Sequence, residues 1–473
     1  MKSKIGFLVL LILVVVTGVF LYQRGVTKAS SQEISSASAL YVLCVFPILS
    51  YIRKGERSIP YVPLMAFIYF FHNGVGIFTN YDLFVFHALS PEAILKAQNL
   101  ALVGFLSFLI SFYGYPGNLV ESLVPHLSIP LDTSKTYRLA MRLFIMALIT
   151  RYLARLYQSP TSGQVNHFFE QLHLISISIL FLMQLRGHLR LWGKILLWFV
   201  VIPSRFFYIL AQGGFGVLSY ETAILYFIYL FVRHKIPWLT LVIVLPFLFL
   251  IWSARDDFRG LTWAGGRYTH SGILKKSSLY FQLIYERTTN KVTTSGDTAL
   301  SAYERLAVRT NHLITFVKTV ELTPSRIPYW GGYTYSTLVY GLLPRFLFPF
   351  KPKKVIGQDF GHRYRFLSSR DLLTSYNLPL LVEMYINFGP AGVVLGMFIF
   401  GLVLRALYAL VNHPQCGDGG FIIGATLFSS MLNTESDFSL VFGNTFQYAV
   451  LYYILIKKFI IPISQESQKL KQS

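Results

Sequence analysis

Arginines and large aromatic residues are concentrated between Arg255 and Asn387, in a chain that is otherwise strongly apolar. The planar guanidinium fork of arginine matches phosphate oxygens, and flat aromatic faces pack well against sugar rings. A protein that holds a lipid-linked diphosphate together with its glycan needs both kinds of side chain. The residues are Arg255, Arg259, Arg267, Arg287, Arg305, Arg309, Arg326, Arg345, Arg363, Arg365 and Arg370, with Trp263, Tyr329, Trp330, Tyr333, Tyr335 and Tyr364.

Two arginine pairs have the spacing of neighbours on one helix face. Arg255 with Arg259, and Arg305 with Arg309, are each four residues apart, which brings both side chains out on the same side. The first pair directly follows an apolar run, and this predicts a place at the membrane surface. Such a pair could hold a diphosphate whose lipid lies in the bilayer. The alternative is a girdle of interfacial arginines that binds ordinary anionic headgroups.

Glu383 is a candidate general base. It lies in the apolar segment Leu378–Ile386, where an unpaired carboxylate is costly to bury. A carboxylate placed there could accept a proton from a sugar hydroxyl in the transition state, although a salt bridge to a loop arginine explains it equally well.

The sequence shows no metal-binding motif. Asp256 and Asp257 lack DxD spacing, and neither Cys44 nor Cys416 belongs to a CxxC motif. We therefore expect no metal site and no cofactor.

The composition predicts a polytopic membrane protein. Of the 473 residues, 54% are hydrophobic and only 13% are charged, whereas a soluble chain carries about 25% charged residues. Apolar runs recur at about 20 residues, the length that crosses a bilayer. The formal charge of +21 lies largely in short loops between these runs, where positive charge sets topology. We expect membrane lipids rather than nucleic acid as partners.

The runs predict an all-α chain with about twelve spans. The distribution of lysine and arginine between loops places both termini in the cytoplasm and one large loop outside. This divides the chain into an N-terminal membrane bundle (1–253), an extracytoplasmic loop with short helices (254–388), a C-terminal bundle (389–461) and a cytoplasmic tail (462–473). Lys2 and Lys4 before the apolar Ile5–Tyr22 favour an uncleaved signal anchor. The predicted spans are 5–22, 38–52, 61–79, 97–115, 137–157, 168–185, 191–210, 214–232, 236–253, 389–411, 420–434 and 440–461.

Local patterns predict two helices in the large loop. Ala302–Glu321 has amphipathic spacing and precedes Pro324. Leu378–Tyr385 is apolar but short, which favours a half-helix that dips into the membrane before Gly389.

Three arginines, Arg142, Arg151 and Arg155, fall within or near one predicted span. A charge at mid-membrane costs at least about 2.5–3.5 kcal/mol on insertion scales, so such residues usually face a cavity or a partner. For Arg155, extension of the side chain to the outer interface is a simpler explanation.

Three sequence patches resemble a known family. They are PSRIPYWGGYTY at 324–335, LPRFLFPFKP at 343–352, and NLP at 377–379 followed by EMYINFG at 383–389 with Gly392 and Gly396. These patches resemble the outer loop of bacterial O-antigen and exopolysaccharide repeat-unit polymerases of the Wzy type. Elsewhere the similarity is one of topology and hydropathy.

The resemblance implies a GT-C-like, inverting, metal-independent glycosyltransferase of the bacterial cytoplasmic membrane. It would transfer a glycan from undecaprenyl diphosphate to another lipid-linked repeat unit, with a chain-length regulator and a flippase as partner proteins. By motif position it assigns arginine chemistry to Arg345 and Arg326, and it also matches Glu383, whose role as base is our inference. Many such polymerases have two large outer loops, whereas one stands out here. The candidate catalytic residues are Glu383 and Arg345, and the candidate binding residues are Arg255, Arg259, Arg305, Arg309, Arg326, Tyr329, Trp330, Lys351, Arg363, Tyr385 and Asn387.

Two alternatives stay open from the sequence. An O-antigen or polysaccharide ligase shares the spans, the donor and the arginine chemistry, and differs only in its acceptor. A non-enzymatic flippase or transporter of lipid-linked oligosaccharides would place charge along a central cavity and show repeat symmetry. The polar residues gather in one loop instead, although Arg142 and Arg151 are compatible with a transporter.

Overall fold

A computed structural model of the chain describes residues 17, 27–54, 59–79, 81–127, 133–156, 160–233, 235, 237–263, 265–289, 311–343, 348, 350, 356–372, 374–413, 416–431 and 434–455. All regular secondary structure in these ranges is helical. The helices are α1 (Ser31–Lys54), α2 (Tyr61–Asn73), α3 (Val75–Thr79), α4 (Tyr81–Phe86), α5 (Pro91–Tyr113), α6 (Tyr115–Leu123), α7 (Thr133–Leu156), α8 (Pro160–Leu185), α9 (Leu191–Leu196), α10 (Ile202–Ala211), α11 (Phe215–Arg233), α12 (Trp238–Ser253), α13 (Arg255–Thr262), α14 (Ile273–Thr288), α15 (His312–Leu322), α16 (Tyr333–Leu342), α17 (Ile356–Arg363), α18 (Leu380–Leu407), α19 (Gly417–Met431) and α20 (Phe438–Leu455). Two π-helical segments, Leu197–Val201 and Tyr408–Asn412, join α9 to α10 and extend α18.

Six helical segments in the described ranges are long and apolar enough to cross a membrane, and a seventh is added if α12 and α13, bent by 44°, form one span. The prediction of a helical membrane protein is confirmed at this level. Other predicted spans form helices that do not meet the same criterion, because Gly74 divides 61–79 and because the apolar parts of α8 and α19 are short. The first predicted span, 5–22, lies outside the described residues except for Thr17. The six are Ser31–Arg53, Pro91–Tyr113, Leu191–Ala211, Phe215–Arg233, Leu380–Asn412 and Phe438–Leu455.

The chain forms two compact units. The first combines Met1–Pro130 with Tyr303–Ile461 and is therefore discontinuous in sequence. The second is formed by the described residues of Leu131–Ala302.

In the first unit, α5 packs along α18, α1 packs on α2 and α5, and α16 packs on α20. The start of α5 is well specified, because the Ser90 side chain accepts a hydrogen bond from the Ala93 N–H and proline follows at the first helical position. The close pairing of α5 with α18 depends on glycine. A Cβ at Gly401 would collide with Ser111 on α5.

Distant parts of the first unit are also joined by hydrogen bonds between the side chain of Asn412 and the backbone of Ile59. The Ile59 N–H donates to the Asn412 side-chain oxygen at 2.9 Å, and the Asn412 amide donates back to the Ile59 carbonyl at 3.0 Å. Asn412 is buried, so this reciprocal pair holds the segment before α2 to the end of the α18 extension.

The second unit has its own apolar core. Its helices α7 and α8 pair along their length, α8 also packs on α11, and α10 packs on α14. Tyr280 donates a hydrogen bond from its hydroxyl to the Ile251 carbonyl at 2.8 Å, which satisfies a buried phenol inside this core. The core is formed by Ile209, Leu210, Leu218, Ile251, Ala254, Phe258, Leu279, Tyr280 and Leu283.

The two helices predicted in the large loop are present in modified form. α15 covers the C-terminal half of the predicted Ala302–Glu321 helix, and residues 302–310 lie outside the described ranges. The predicted short helix at Leu378–Tyr385 begins at Leu380, and its helical geometry ends before Gly389, as expected. Phe388 (φ −137°, ψ 16°) and Gly389 (φ 63°, ψ −148°) form a kink, after which a second helical part of α18 follows.

We expect Gly389→Ala to destabilise the protein. At φ 63° and ψ −148° only glycine is free of backbone strain, and an added Cβ would lie 2.7 Å from the Tyr329 hydroxyl. Such strain costs about 1–3 kcal/mol, which a thermal unfolding scan in detergent would record as a lower midpoint. Gly260→Ala is the matched control, since a Cβ there meets nothing within 4 Å. An unchanged midpoint in Gly389→Ala would show that the kink is not constrained in this way.

Candidate functional site

Glu383 is completely buried in the first turn of α18. Its Oε2 accepts a hydrogen bond from the Phe438 N–H at 2.5 Å, at the start of α20. The positive end of the α18 dipole also stabilises a carboxylate in this turn. The apolar segment therefore contains a buried carboxylate that accepts a hydrogen bond from the backbone at the start of α20.

Asn387, one turn further along α18, joins three parts of the structure. Its amide nitrogen donates to the Thr334 hydroxyl and to the Glu383 carbonyl, each at 2.8 Å. Its oxygen accepts the Gly332 N–H at 3.0 Å. Because Asn387 is 1% exposed and Thr334 is fully buried, these bonds fix the 331–334 turn on the side of α18 that carries Glu383.

The polypeptide preceding α16 is attached to α18 at two further points. The Trp330 N–H donates to the Ile386 carbonyl at 2.8 Å. The Tyr385 hydroxyl donates to the Thr323 carbonyl at 3.0 Å, and the Tyr329 ring packs edge-on against Tyr385 with 6.2 Å between centroids. The motif patches at 324–335 and 383–389 thus form one folded assembly.

An arginine and several aromatic rings cover this assembly. The Arg363 guanidinium lies 4.5 Å above the centre of the Trp330 ring. Trp330 itself is buried, so it supports the arginine instead of offering an open face to a sugar. Tyr329 and Tyr333 are 40% and 48% exposed, and they are the open tyrosine faces here.

Tyr335 lies near Glu383 and stacks on Phe388. Their rings are stacked, with centroids 6.0 Å apart and planes within 8°. Burial and the nearby Glu383 carboxylate raise the pKa of Tyr335 above its ordinary value. Tyr335 therefore stays protonated at neutral pH and can act as a hydrogen-bond donor beside the acid.

The arginine pair Arg255–Arg259 lies in the second unit, on α13 as the spacing predicts. Arg255 is buried, with Nε 3.5 Å from the Asp256 carboxylate. Arg259 donates to the Gly213 carbonyl at 2.9 Å and lies 4.3 Å over the Trp263 ring. Each of the two side chains thus has its own contacts within the second unit, and they do not project together as one open fork.

Five candidate residues remain, and the structure describes one of them. Arg326 is exposed in the turn after α15. Arg305, Arg309, Arg345 and Lys351 lie outside the described residues.

A buried polar network in the second unit was not expected from the sequence. Arg205 is 3% exposed; it donates to Glu221 through Nε at 3.0 Å and lies 3.3 Å from Glu170. Arg151, for which a partner or cavity was predicted, lies 2.8 Å from the His173 ring nitrogen. Arg142 is exposed, and the Arg155 side chain lies outside the described ranges. The members of this network lie on separate helices, so no regular spacing in the sequence links them. The only signal in the sequence is the occurrence of charged residues within apolar runs.

A cluster in the first unit was also missed. His72, His312 and Glu435 place their ligand atoms within 4.8 Å of one another. The histidines are 240 positions apart, and no local motif links them.

These contacts define the candidate site as the α18 start with the 329–335 turn and Arg363. It combines a held carboxylate, a protonated phenol, one cation supported by an indole and two open aromatic faces. Such a set can bind an anionic sugar derivative and can move a proton at Glu383.

Comparison with known proteins gives one match. The family model described as "Domain of unknown function (DUF8712)" matches residues 60–470, which is most of the chain. No curated protein and no solved structure matches.

We expect Asn387→Ala to loosen the site. The change leaves buried partners of Asn387 without hydrogen bonds, which costs about 1–3 kcal/mol, and it should lower the thermal midpoint of the protein in detergent. Ser336→Ala is the control, because that exposed hydroxyl bonds only to the Tyr333 carbonyl. Equal midpoints for the two variants would contradict the role given to Asn387.

Proposed function

The chain belongs to the DUF8712 family, and we propose that it is a polymerase of lipid-linked oligosaccharide repeat units. It would join repeat units carried on undecaprenyl diphosphate into O-antigen, capsular or exopolysaccharide chains. In this proposal the fold is GT-C-like with about twelve spans, and residues 254–388 face outward from the bacterial cytoplasmic membrane. A chain-length regulator and a flippase would act beside it.

One observation supports the proposal: a fully buried carboxylate lies at the start of a candidate span, and this helix is hydrogen-bonded to a turn that carries open aromatic rings and packs against an arginine. Glu383 lies in the first turn of Leu380–Asn412, a segment long and apolar enough to span. Tyr329 and Tyr333 are exposed in the turn segment that is hydrogen-bonded to that helix, and Arg363 packs on Trp330 of the same segment. A donor with a lipid tail, a diphosphate and a glycan would find apolar, cationic and aromatic groups there.

The reaction follows from these groups. The acceptor hydroxyl oxygen attacks the anomeric carbon of the donor sugar, and its proton passes to Glu383. The bond between the anomeric carbon and the diphosphate oxygen breaks, and its electron pair leaves with the lipid diphosphate. Arginine stabilises the charge that develops on that oxygen. We assign this to Arg345 with Arg305 and Arg309, and assign glycan and diphosphate contacts near Glu383 to Arg363 and Arg326.

In this proposal the stacked rings of Tyr335 and Phe388 would control access to Glu383. Glu383 has no exposed surface, whereas Phe388 is 52% exposed. Movement of this aromatic pair on binding the acceptor would open a path for the hydroxyl. It would also keep water from the donor until the acceptor is present.

Two other functions compete with the polymerase. A ligase would use the same donor site and a different acceptor lipid. A flippase draws support from the second unit, where Arg205, Glu221 and Glu170 form a buried charged network, and intramembrane charges often mark transport paths. Carboxylates neutralise the arginine in this network, and the same pairing is expected of a network with a purely structural role.

Reconstitution distinguishes the three. The purified protein is placed in liposomes with the host's lipid-diphosphate repeat unit, and the products are separated on a gel. We expect a ladder of growing oligomers. Transfer only when another acceptor lipid is added would indicate a ligase, and protection of the glycan from an external probe without a new bond would indicate a transporter.

We expect Glu383→Gln to keep the fold and lose polymerisation. Glutamine retains an oxygen that accepts the Phe438 N–H but cannot take a proton, and the loss of a general base lowers the rate by about 10²–10⁴-fold. Ladder formation and the thermal midpoint are measured together. Full activity of Glu383→Gln would exclude Glu383 as the general base. A large drop in the thermal midpoint would show instead that the carboxylate stabilises the junction of α18 and α20.

We expect Arg363→Ala to weaken donor binding without changing the fold. A charge-assisted hydrogen bond contributes about 1.5–3 kcal/mol, which corresponds to about 10–100-fold in the KM for the lipid-linked donor. Arg370→Ala, an exposed arginine near the same region, is the matched control. Equal KM values for the two variants would exclude Arg363 from the donor site.

A further inference from the structure

Three ligating side chains meet in the first unit at a distance in sequence from the candidate site. His72 is in the last turn of α2, His312 begins α15, and Glu435 lies in the turn before α20. The Nε2 atoms of His72 and His312 lie 3.9 and 3.8 Å from the same oxygen, Oε1 of Glu435. The two imidazole rings are 3.9 Å apart between centroids.

These separations suit ligands around one ion better than direct hydrogen bonds. A nitrogen–oxygen hydrogen bond has a length of about 2.7–3.2 Å. Tetrahedral zinc with bonds of about 2.0–2.2 Å holds its ligand atoms about 3.4 Å apart. The two nitrogen–oxygen separations exceed this value by about half an ångström, and all three ligand atoms lie within 4.8 Å of one another, which is within reach of side-chain rotation around one ion.

The surroundings provide room for a fourth ligand. A cavity of about 20 Å³ adjoins the cluster, and it can hold about one water molecule. Both histidines line it, as does Thr434, the neighbour of Glu435.

We propose that His72, His312 and Glu435 bind a divalent transition-metal ion, with zinc as the preferred ion. Two imidazoles and one carboxylate with an open position form a known type of zinc ligand set, and imidazole selects zinc over the hard ions magnesium and calcium. The sequence predicted no metal site, because the three ligands come from separate segments. The proposal does not depend on the transferase proposal.

The ion would hold the turn that supports the candidate site. In this turn the Thr434 carbonyl accepts the Leu380 N–H at 3.0 Å, at the first residue of α18. Three residues after the ligand Glu435, the Phe438 N–H binds Glu383. The metal ligands are therefore positioning residues for the start of α18, and zinc should stabilise this turn.

The first experiment measures zinc binding to the full chain, purified with a tag that contains no histidine. After chelator treatment and its removal, the protein in nanodiscs of neutral lipid is titrated with Zn²⁺ against a chromophoric competitor. We expect about one tight site per chain, an increase in the thermal midpoint, and no competition from Mg²⁺. In the cobalt-substituted protein, visible absorption bands of a four-coordinate ion should appear.

Variants identify the site. Glu435→Gln, His72→Ala and His312→Gln should each weaken binding by at least about 10²-fold, more than loss of an outer hydrogen-bond partner typically does. His413→Ala is the matched control, because His413 also lies beside a second histidine and a carboxylate: it stacks on His126, and Glu121 is 4.0 Å away. The Glu121 carboxylate pairs with Arg405, so we expect no zinc site there. Glu435 is partly exposed, so Glu435→Gln is expected to fold normally even if His72→Ala does not.

The outcomes are separable. The site is supported if the parent protein and His413→Ala each bind about one zinc ion per chain and Glu435→Gln does not. Absence of tight zinc binding in the parent, or equal binding in Glu435→Gln and His413→Ala, overturns it. These outcomes are read from the zinc titration alone, whereas the polymerase proposal is read from ladder formation, so failure of one is distinguishable from failure of the other.

Discussion

The hydrogen bonds of a single buried amide constrain the whole candidate site. Asn387 cannot be buried at low cost unless both its oxygen and its nitrogen have partners, and it finds them in Gly332, Thr334 and the helix turn of Glu383. This requirement fixes the 331–334 turn against α18. The place of Trp330, and with it the place of Arg363, follows from that attachment. The polar network is thus both the scaffold of the site and the reason for its precise shape.

Sequence reasoning predicted the class of fold and part of the site. Hydropathy and run length indicated a helical membrane protein, because bilayer thickness constrains every span in the same way. The motif patches at 324–335 and 383–389 indicated residues that the structure brings together. Helix periodicity located Arg255 and Arg259 on one short helix, which is observed.

Other features could not be predicted, since they depend on contacts between distant segments. The spacing of Arg255 and Arg259 suggested a shared anion site, yet local partners occupy them: Asp256 for one, and the Gly213 carbonyl and Trp263 for the other. Trp330 was expected to present its face to sugars, but Arg363 covers it. The cluster of His72, His312 and Glu435 has no spacing pattern, because its members come from two helices and a turn that are far apart in sequence. Composition indicates which groups are available, and only tertiary packing decides which of them meet.

The discontinuity of the first unit has a consequence for biogenesis. Its two parts are separated by the whole of Leu131–Ala302, and they are joined by contacts such as the reciprocal pair between Ile59 and Asn412. A ribosome delivers the chain from its N-terminus, so the earlier part must wait in the membrane while the intervening unit is synthesised and inserted. During that interval the surfaces of α2 and α5 that later meet α15 and α18 lack their native covering. Insertion chaperones in the bilayer would therefore be needed longest by the first helices, although these are the earliest to be made.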